Sequence, residues 1–163
     1  MNYQPEWSSH LPLLVKVMAI STGSVLEMGT GPFSTPILHW LCFDQNRPLI
    51  SYDNDRQYLE LNKKFEGGLH QVKYVANWDE AKIEDTHWGL VFIDHAPPER
   101  RHIDVARVAN TADYIVIHDS QRHLDPYFHY KKIYGLFKYK YVYRKVKPHT
   151  TVLSNFKDIT NIF

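Results

Sequence analysis

The sequence is poor in several features that would assign it to a class. It holds one cysteine, Cys42, in 163 residues, so an intrachain disulfide framework and a cysteine-based zinc cluster are both excluded. Within the apolar run LHWLCF that thiol reads as a buried structural group. No apolar run approaches the roughly 18 residues of a membrane-spanning helix. Charge of one sign is lacking too. Lys and Arg number 19 against 18 Asp and Glu, and the formal net charge of +1 gives no strong field toward nucleic acid or membrane. The stretch MNYQPEWSSHLPLLVKVMAIS has neither a basic leader nor a small-residue cleavage site, so no secretory signal is read and a reducing, cytoplasmic setting is expected. Internal repeats, low-complexity tracts and linkers are missing as well.

What is present is an aromatic-rich globular composition, 44% hydrophobic and 14% aromatic, with a length that suits one domain and one core. Ten histidines make its charge sensitive to pH below about 6.5. Short apolar runs alternate with amphipathic segments. SVLEM (24–28), PLISYD (48–53), QVKYVA (71–76), GLVFID (89–94) and YIVIHD (114–119) read as strands. Helices are expected over 32–43, over 55–65 with Asp55 as cap and Gly67–Gly68 as stop, and over 99–110. Strands apolar throughout are buried on both faces, which implies a parallel sheet covered by helices on both sides. Two alternating runs, 139–145 and 149–155, flank Lys147 and Pro148 and read as an antiparallel hairpin closing the sheet. Trp7, Leu11, Leu13, Leu14, Val17 and Met18 lie roughly on one face of an N-terminal helix.

In an open α/β sheet the ligand sits at the carboxyl ends of the strands. Those ends carry Glu27, Asp53, Asn77–Trp78–Asp79, Asp94 and His118–Asp119. Gly29 and Gly31, in VLEMGTGPFST, permit a tight turn and close approach of a ligand to a helix N-terminus. The third glycine of the dinucleotide fingerprint is missing, because Pro32, Phe33 and Ser34 follow. Glu27 would repel a pyrophosphate and suits a ligand with an ammonium group. Asp53 either accepts hydrogen bonds from two ribose hydroxyls or caps the next helix. Asp55 is better placed to cap, which leaves Asp53 free for the ribose.

VLEMGTGPFST, SYDND, LVFIDHAPPERR and IVIHDS together resemble the class I S-adenosylmethionine-dependent methyltransferases. The branch resembled is that of small O-methyltransferases, whose fourth strand ends in FID and whose fifth ends in an apolar run plus HD. The likeness spans about residues 7–155. It implies a doubly wound, Rossmann-like α/β domain over 1–163, with an N-terminal helical segment (1–22), a cofactor-binding core (23–120) and a C-terminal helix and hairpin (121–163). It implies S-adenosylmethionine as cofactor, with Glu27, Gly29, Thr30, Gly31 and Ser34 about its methionine part and Glu27 near the ammonium. It further implies Asp53 on the ribose, Tyr52 or Asn54 near the adenine, Asn77, Trp78 and Asp79 beside the adenine ring, and Asp94 and His95 by the methyl group. Trp78 reads equally as a core residue. Two positions depart from the pattern: Phe33 replaces a small residue of the first motif, and NTAD (110–113) lacks the glycine turn before the fifth strand.

An oxygen acceptor must lose its proton or have its pKa lowered. Two readings stay open. Asp94, His95 or His118 acts as acid–base machinery, a histidine being favoured as general base; or Asp94, His118 and Asp119 hold a divalent cation, magnesium or manganese. His118–Asp119 could also simply cap a loop. Arg100 or Arg101 either holds an acidic substrate or covers a helix start. His10, His39, His70, His87, His102, His123, His129 and His149 show no ligand spacing and are expected at the surface or its boundary. The basic, aromatic stretch HYKKIYGLFKYKYVYRKVK reads as an amphipathic helix and an edge strand rather than a nucleic-acid surface. The expected activity is methyl transfer to an oxygen of a small-molecule or sugar-like acceptor. The alternatives are an inactive cofactor-binding accessory module, or methylation of nucleic acid or protein. With no inserted substrate domain visible, acceptor recognition would come from short loops, the N-terminal helix, a second copy or a partner.

Overall fold

The computed structural model describes residues 4–160. A 3-10 turn (Pro5–Ser8) leads into α1 (Leu11–Ile20). There follow β1 (Val25–Met28), α2 (Ser34–Asp44), β2 (Leu49–Asp53), α3 (Arg56–Asn62), β3 (His70–Tyr74) and β4 (Trp88–Ile93). Then come α4 (Arg101–Arg107), β5 (Ala112–Ile117), the single turn α5 (Asp125–Phe128), β6 (Tyr139–Tyr143) and β7 (Thr150–Ser154). The seven strands form one sheet of order β3-β2-β1-β4-β5-β7-β6, parallel through β5, with β7 antiparallel to both β5 and β6.

Alternation along the strands divides the interior into two layers. Leu26 and Met28 of β1 pack with Tyr52, Trp78, Trp88, Ile93, Val105, Ile115 and Phe128 on one face. Val25 packs with Leu13, Leu14, Val17 and Met18 of α1, Leu38 and Cys42 of α2, Leu49, Phe92, Val116 and Val152 on the other. Cys42 is buried, as its apolar setting implies, and burial pushes its thiol up to about 12. Among the described residues no helix is long and apolar enough to cross a membrane. Of the four parallel crossovers, those into β2, β3 and β5 carry an α-helix and that into β4 only a 3-10 turn (Trp78–Glu80), and Asp55 caps α3 by accepting from Gln57 N–H at 2.7 Å.

Three expectations need correction. Trp7 does not extend the apolar face of α1, because the chain turns between Ser8 and Leu11 and Trp7 stays in the preceding 3-10 turn. The C-terminal helix is not continuous: 121–138 is a series of 3-10 turns and the one-turn α5, broken at His129, whose φ is 55°. The predicted helix over 99–110 is a 3-10 turn (Pro98–Arg100) followed by the shorter α4.

Candidate functional site

The glycine turn after β1 is built by two contacts. Gly29 has a φ of +96° and stands against the turn after β4, where a Cβ would fall 2.6 Å from His95 N. Only glycine fits both the dihedral and the space. The second contact comes from below. Glu27 lies on the same face of β1 as Val25, so its side chain enters the α2 layer rather than the strand-end cleft. There Thr35 Oγ1 donates to its carboxylate at 3.0 Å and Ser51 Oγ at 2.6 Å. Thr35 Oγ1 in turn receives Gly31 N–H at 2.9 Å. Burial raises the Glu27 pKa to about 7, against hydrogen bonds from Ser34, Ser51 and Thr35 that favour the carboxylate.

Above the turn lies a cavity of about 350 Å³, within the range of small-molecule sites. Its floor is Gly29, Thr30, Gly31 and Ser34, with Pro32 and Phe33 beside them. One wall is Asp53 with Asn54, Asp55 and Tyr58; the other is Asp94, Arg101, His118 and Asp119, closed by Trp7 and His10. The Asp53 carboxylate accepts from Thr30 N–H (2.6 Å), Thr30 Oγ1 (2.7 Å) and Asp55 N–H (2.8 Å). It is thereby locked at the cavity edge. Burial raises its pKa, partly offset by these donors.

At the far wall four charged groups interlock. Arg101 places Nη1 2.9 Å from Asp94 Oδ1 and 3.1 Å from Asp119 Oδ2, and donates to the His95 and Asp94 carbonyls. His118 Nδ1 lies 3.2 Å from Asp94 Oδ2. Its Nε2 lies 2.8 Å from Ser9 Oγ, which donates its single proton to Pro148 O at 2.9 Å. With that proton committed, Nε2 must be the donor to Ser9, and a proton on Nδ1 satisfies Asp94 as well. This arrangement favours the imidazolium form of His118. Burial works against this charge, but Asp94 and Asp119 outweigh it and keep the His118 pKa above its ordinary value. Burial likewise disfavours the Asp94 carboxylate, yet His118 and Arg101 together hold it well below the usual carboxylate range.

The structure brings together Gly29, Thr30, Gly31, Ser34, Asp53, Asn54, Asp94, His95, His118 and Asp119 around one cavity. Others of the expected set lie elsewhere. Glu27 is wholly buried beneath the turn and does not meet the cavity, so its expected ammonium partner is replaced by Thr35 and Ser51. Tyr52 and Trp78 belong to the core on the opposite face of the sheet, and Trp78 Nε1 donates to Ala96 O. Asn77 caps a 3-10 turn through Asp79 N–H, and Asp79 is paired with Arg100 at 2.6 Å. The His95 ring is turned back into the protein, 3.1 Å from Asp104 Oδ2 and stacked on Trp78, which removes it as a general base for the cavity. His118 does border the cavity, and its two carboxylate neighbours favour its charged form over a free base. Arg100 and Arg101 both have carboxylate partners within the chain; Arg101 also borders the cavity, whereas Arg100 does not.

His10 and His70 are buried, contrary to expectation. His70 Nε2 meets Ser51 Oγ at 2.9 Å and extends the Glu27 network to His39. His10 is 2% exposed, packs on Phe92 and against the edge of His118, and among the described residues neither ring nitrogen has a hydrogen-bond partner. Burial pushes its pKa down to about 4. Ser9 and His10 are the site residues that the sequence did not reveal. Their one signal is that SSH interrupts the approach to an otherwise apolar helix.

No protein-family model and no curated protein sequence matches the chain. Solved structures do. Cofactor-bound Rv0187 from MTB superposes with a TM-score of 0.68 at 14% identity, covering 96% of this chain and 83% of that one. An O-methyltransferase from Bacillus cereus in complex with SAH gives 0.65 at 13% identity, over 94% and 82%. A methyltransferase from Pyrococcus furiosus gives 0.63 at 11%, over 96% and 89%. The fold is thus the Rossmann-like methyltransferase fold, with the antiparallel strand pair at its end.

Proposed function

We propose that this chain, built on the methyltransferase fold, transfers a methyl group from S-adenosylmethionine to an oxygen of a small, sugar-like or similarly polar acceptor. The observation that carries this reading is the single cavity that joins a glycine turn and Asp53 at one end to Asp94, His118 and His10 at the other. When bound, the cofactor supplies an activated methyl group on a sulfonium. The backbone of Gly29, Thr30 and Gly31 would line its amino-acid half, and Asp53 Oδ1, which accepts one bond from the described residues, retains capacity for a ribose hydroxyl. Cavity volume and the glycine cradle fit such a group. Glu27 serves the turn rather than the ligand.

Proximity in a half-closed cavity supplies much of the rate of an in-line displacement. The acceptor end contributes charge. His118 as an imidazolium and Arg101 place two positive groups beside the point where an acceptor hydroxyl becomes an oxyanion, which lowers the acceptor pKa and stabilises the developing negative charge. A divalent cation, if held by Asp94 and His118, would supply further positive charge for the same role. Trp7 and Phe33 border the cavity and suit an apolar portion of cofactor or acceptor.

Calorimetric titration with S-adenosylmethionine, S-adenosylhomocysteine and NAD tests this. Micromolar binding of the first two and none of NAD supports it. No binding of either sulfur ligand removes it in favour of an accessory role without turnover.

A further inference from the structure

We propose that His10 Nδ1 or Nε2, Asp94 Oδ2 and His118 Nδ1 form a binding site for a first-row transition-metal dication, with its open coordination positions facing the cavity. One ligand atom from each of the three residues lies within 4.8 Å of the others. The expected trio of Asp94, His118 and Asp119 is not the one the fold assembles. Asp119 turns its carboxylate to Arg101 and stands 3.8 Å from His118 Nδ1, while His10 enters from the start of α1 and takes the third place.

Three independent features point to a metal. First, His10 is nearly fully buried and both its nitrogens lack a hydrogen-bond partner among the described residues, a costly state for an imidazole in a fold that satisfies most other buried polar groups. A lone pair on a metal removes that cost. Second, His118 already has the outer support of a metal-bound histidine. Its Nε2–H is given to Ser9 Oγ, which is tied to Pro148 O, so the ring is fixed with Nδ1 aimed at the site. Third, Asp94 is supported in the same way: Arg101 holds Oδ1 and leaves Oδ2 directed at the other two ligands.

The donor set selects the ion. Two imidazoles and one carboxylate suit manganese, iron, cobalt or zinc rather than magnesium, which prefers an all-oxygen shell. Bonds of about 2.0–2.2 Å require the three side chains to draw inward slightly. On binding, the proton of His118 Nδ1 leaves to solvent and the dication takes its place. Asp94, Asp119, Arg101 and the cation then sum to one positive charge, which an acceptor oxyanion at an open position neutralises. This last role rests on the proposed methyl transfer; the metal site itself does not.

The test uses the full chain, freed of metal by chelator, titrated with Co²⁺ in the absence of S-adenosylmethionine. The expected result is saturation at one equivalent with visible d–d bands, reversed by Zn²⁺ and unaffected by Mg²⁺. His10→Ala and Ser9→Ala should each weaken binding by about ten- to a hundredfold, while Asp119→Asn, which removes a neighbouring charge but no ligand, weakens it far less. If Asp119→Asn weakens Co²⁺ as much as His10→Ala does, the carboxylate pair is the site and the proposal falls. Should His10→Ala fail to fold, proton NMR of the wild-type chain decides. Paramagnetically shifted signals from two imidazoles support the site, and signals from one or none overturn it. A chain that binds Co²⁺ but no S-adenosylmethionine retains the metal site and loses the methyltransferase reading; the reverse pattern does the opposite.

Discussion

Thr35 holds Glu27 to the glycine turn: its hydroxyl donates to the buried carboxylate at 3.0 Å and receives Gly31 N–H at 2.9 Å. An acid at the end of a strand thus acts as a strut from below. The turn keeps its shape through a polar network sealed between β1, β2 and α2, and its upper surface is left for a ligand.

That burial predicts a pH effect. The Glu27 carboxyl keeps its proton up to about pH 7 in the folded chain and loses it near its ordinary 4.5 when unfolded. Its stabilising contribution is complete below pH 4.5 and is lost as pH rises through 7. His70, lowered to about 4 by burial, has the opposite slope, so the comparison must be with a variant. The unfolding free energy of the parent minus that of Glu27→Gln should fall by about 3 kcal/mol between pH 4.5 and 7.5. Urea titrations at several pH values measure it, and a flat difference would show that Glu27 ionises normally.

Gly29→Ala should destabilise strongly. The φ of +96° and the 2.6 Å approach to His95 N act together. Strain alone is about 1–3 kcal/mol, and the backbone clash adds to it. Gly68→Ala is the control: its φ is +56° but nothing lies within 4 Å, so a loss of about 1 kcal/mol is expected. Equal losses by denaturant titration would mean that Gly29 is not pressed against the β4 turn.

Asp53→Ala should weaken S-adenosylmethionine binding more than Asp94→Ala does. Asp53 orders Thr30 in the turn through two hydrogen bonds and is the residue proposed to hold the ribose. A loss of about 2 kcal/mol, or some thirtyfold in affinity, is the expected size. Calorimetry with both variants decides, and a larger loss for Asp94→Ala would reverse the assigned ends of the cavity.

Arg101→Met should cost about 3–5 kcal/mol in stability, because it leaves Asp94 and Asp119 without their shared partner in a nearly buried position. Arg101→Lys keeps the charge but not the fork that reaches both carboxylates and the two backbone carbonyls, so it should recover only part of that loss. Full recovery by lysine would show that charge alone matters here.

The strands were legible because their runs, apolar on both faces, leave no other stable arrangement. Asp53 and the glycines were legible because their chemistry belongs to strand ends. The errors have physical causes. Glu27, Tyr52 and Trp78 were placed by nearness in sequence to the strand ends, whereas the alternation of β1 and β2 sends Glu27 into the α2 layer and Tyr52 to the Trp78 side. His10 was illegible because nothing in its own neighbourhood marks it. It gains meaning only when α1 packs over Phe92 and sets it beside His118. The segment 121–138 misled because its aromatic and basic residues mimic an amphipathic helix that short turns replace.

The Ser9–Pro148 bond joins residues 139 positions apart. During synthesis the glycine turn, Asp53 and Asp94 leave the ribosome long before Pro148 does. A nascent chain halted after β5 has all the groups of the cofactor end but nothing to fix Ser9 against His118. The proposed acceptor end is therefore the last part of the cavity to be completed, once translation has passed Pro148.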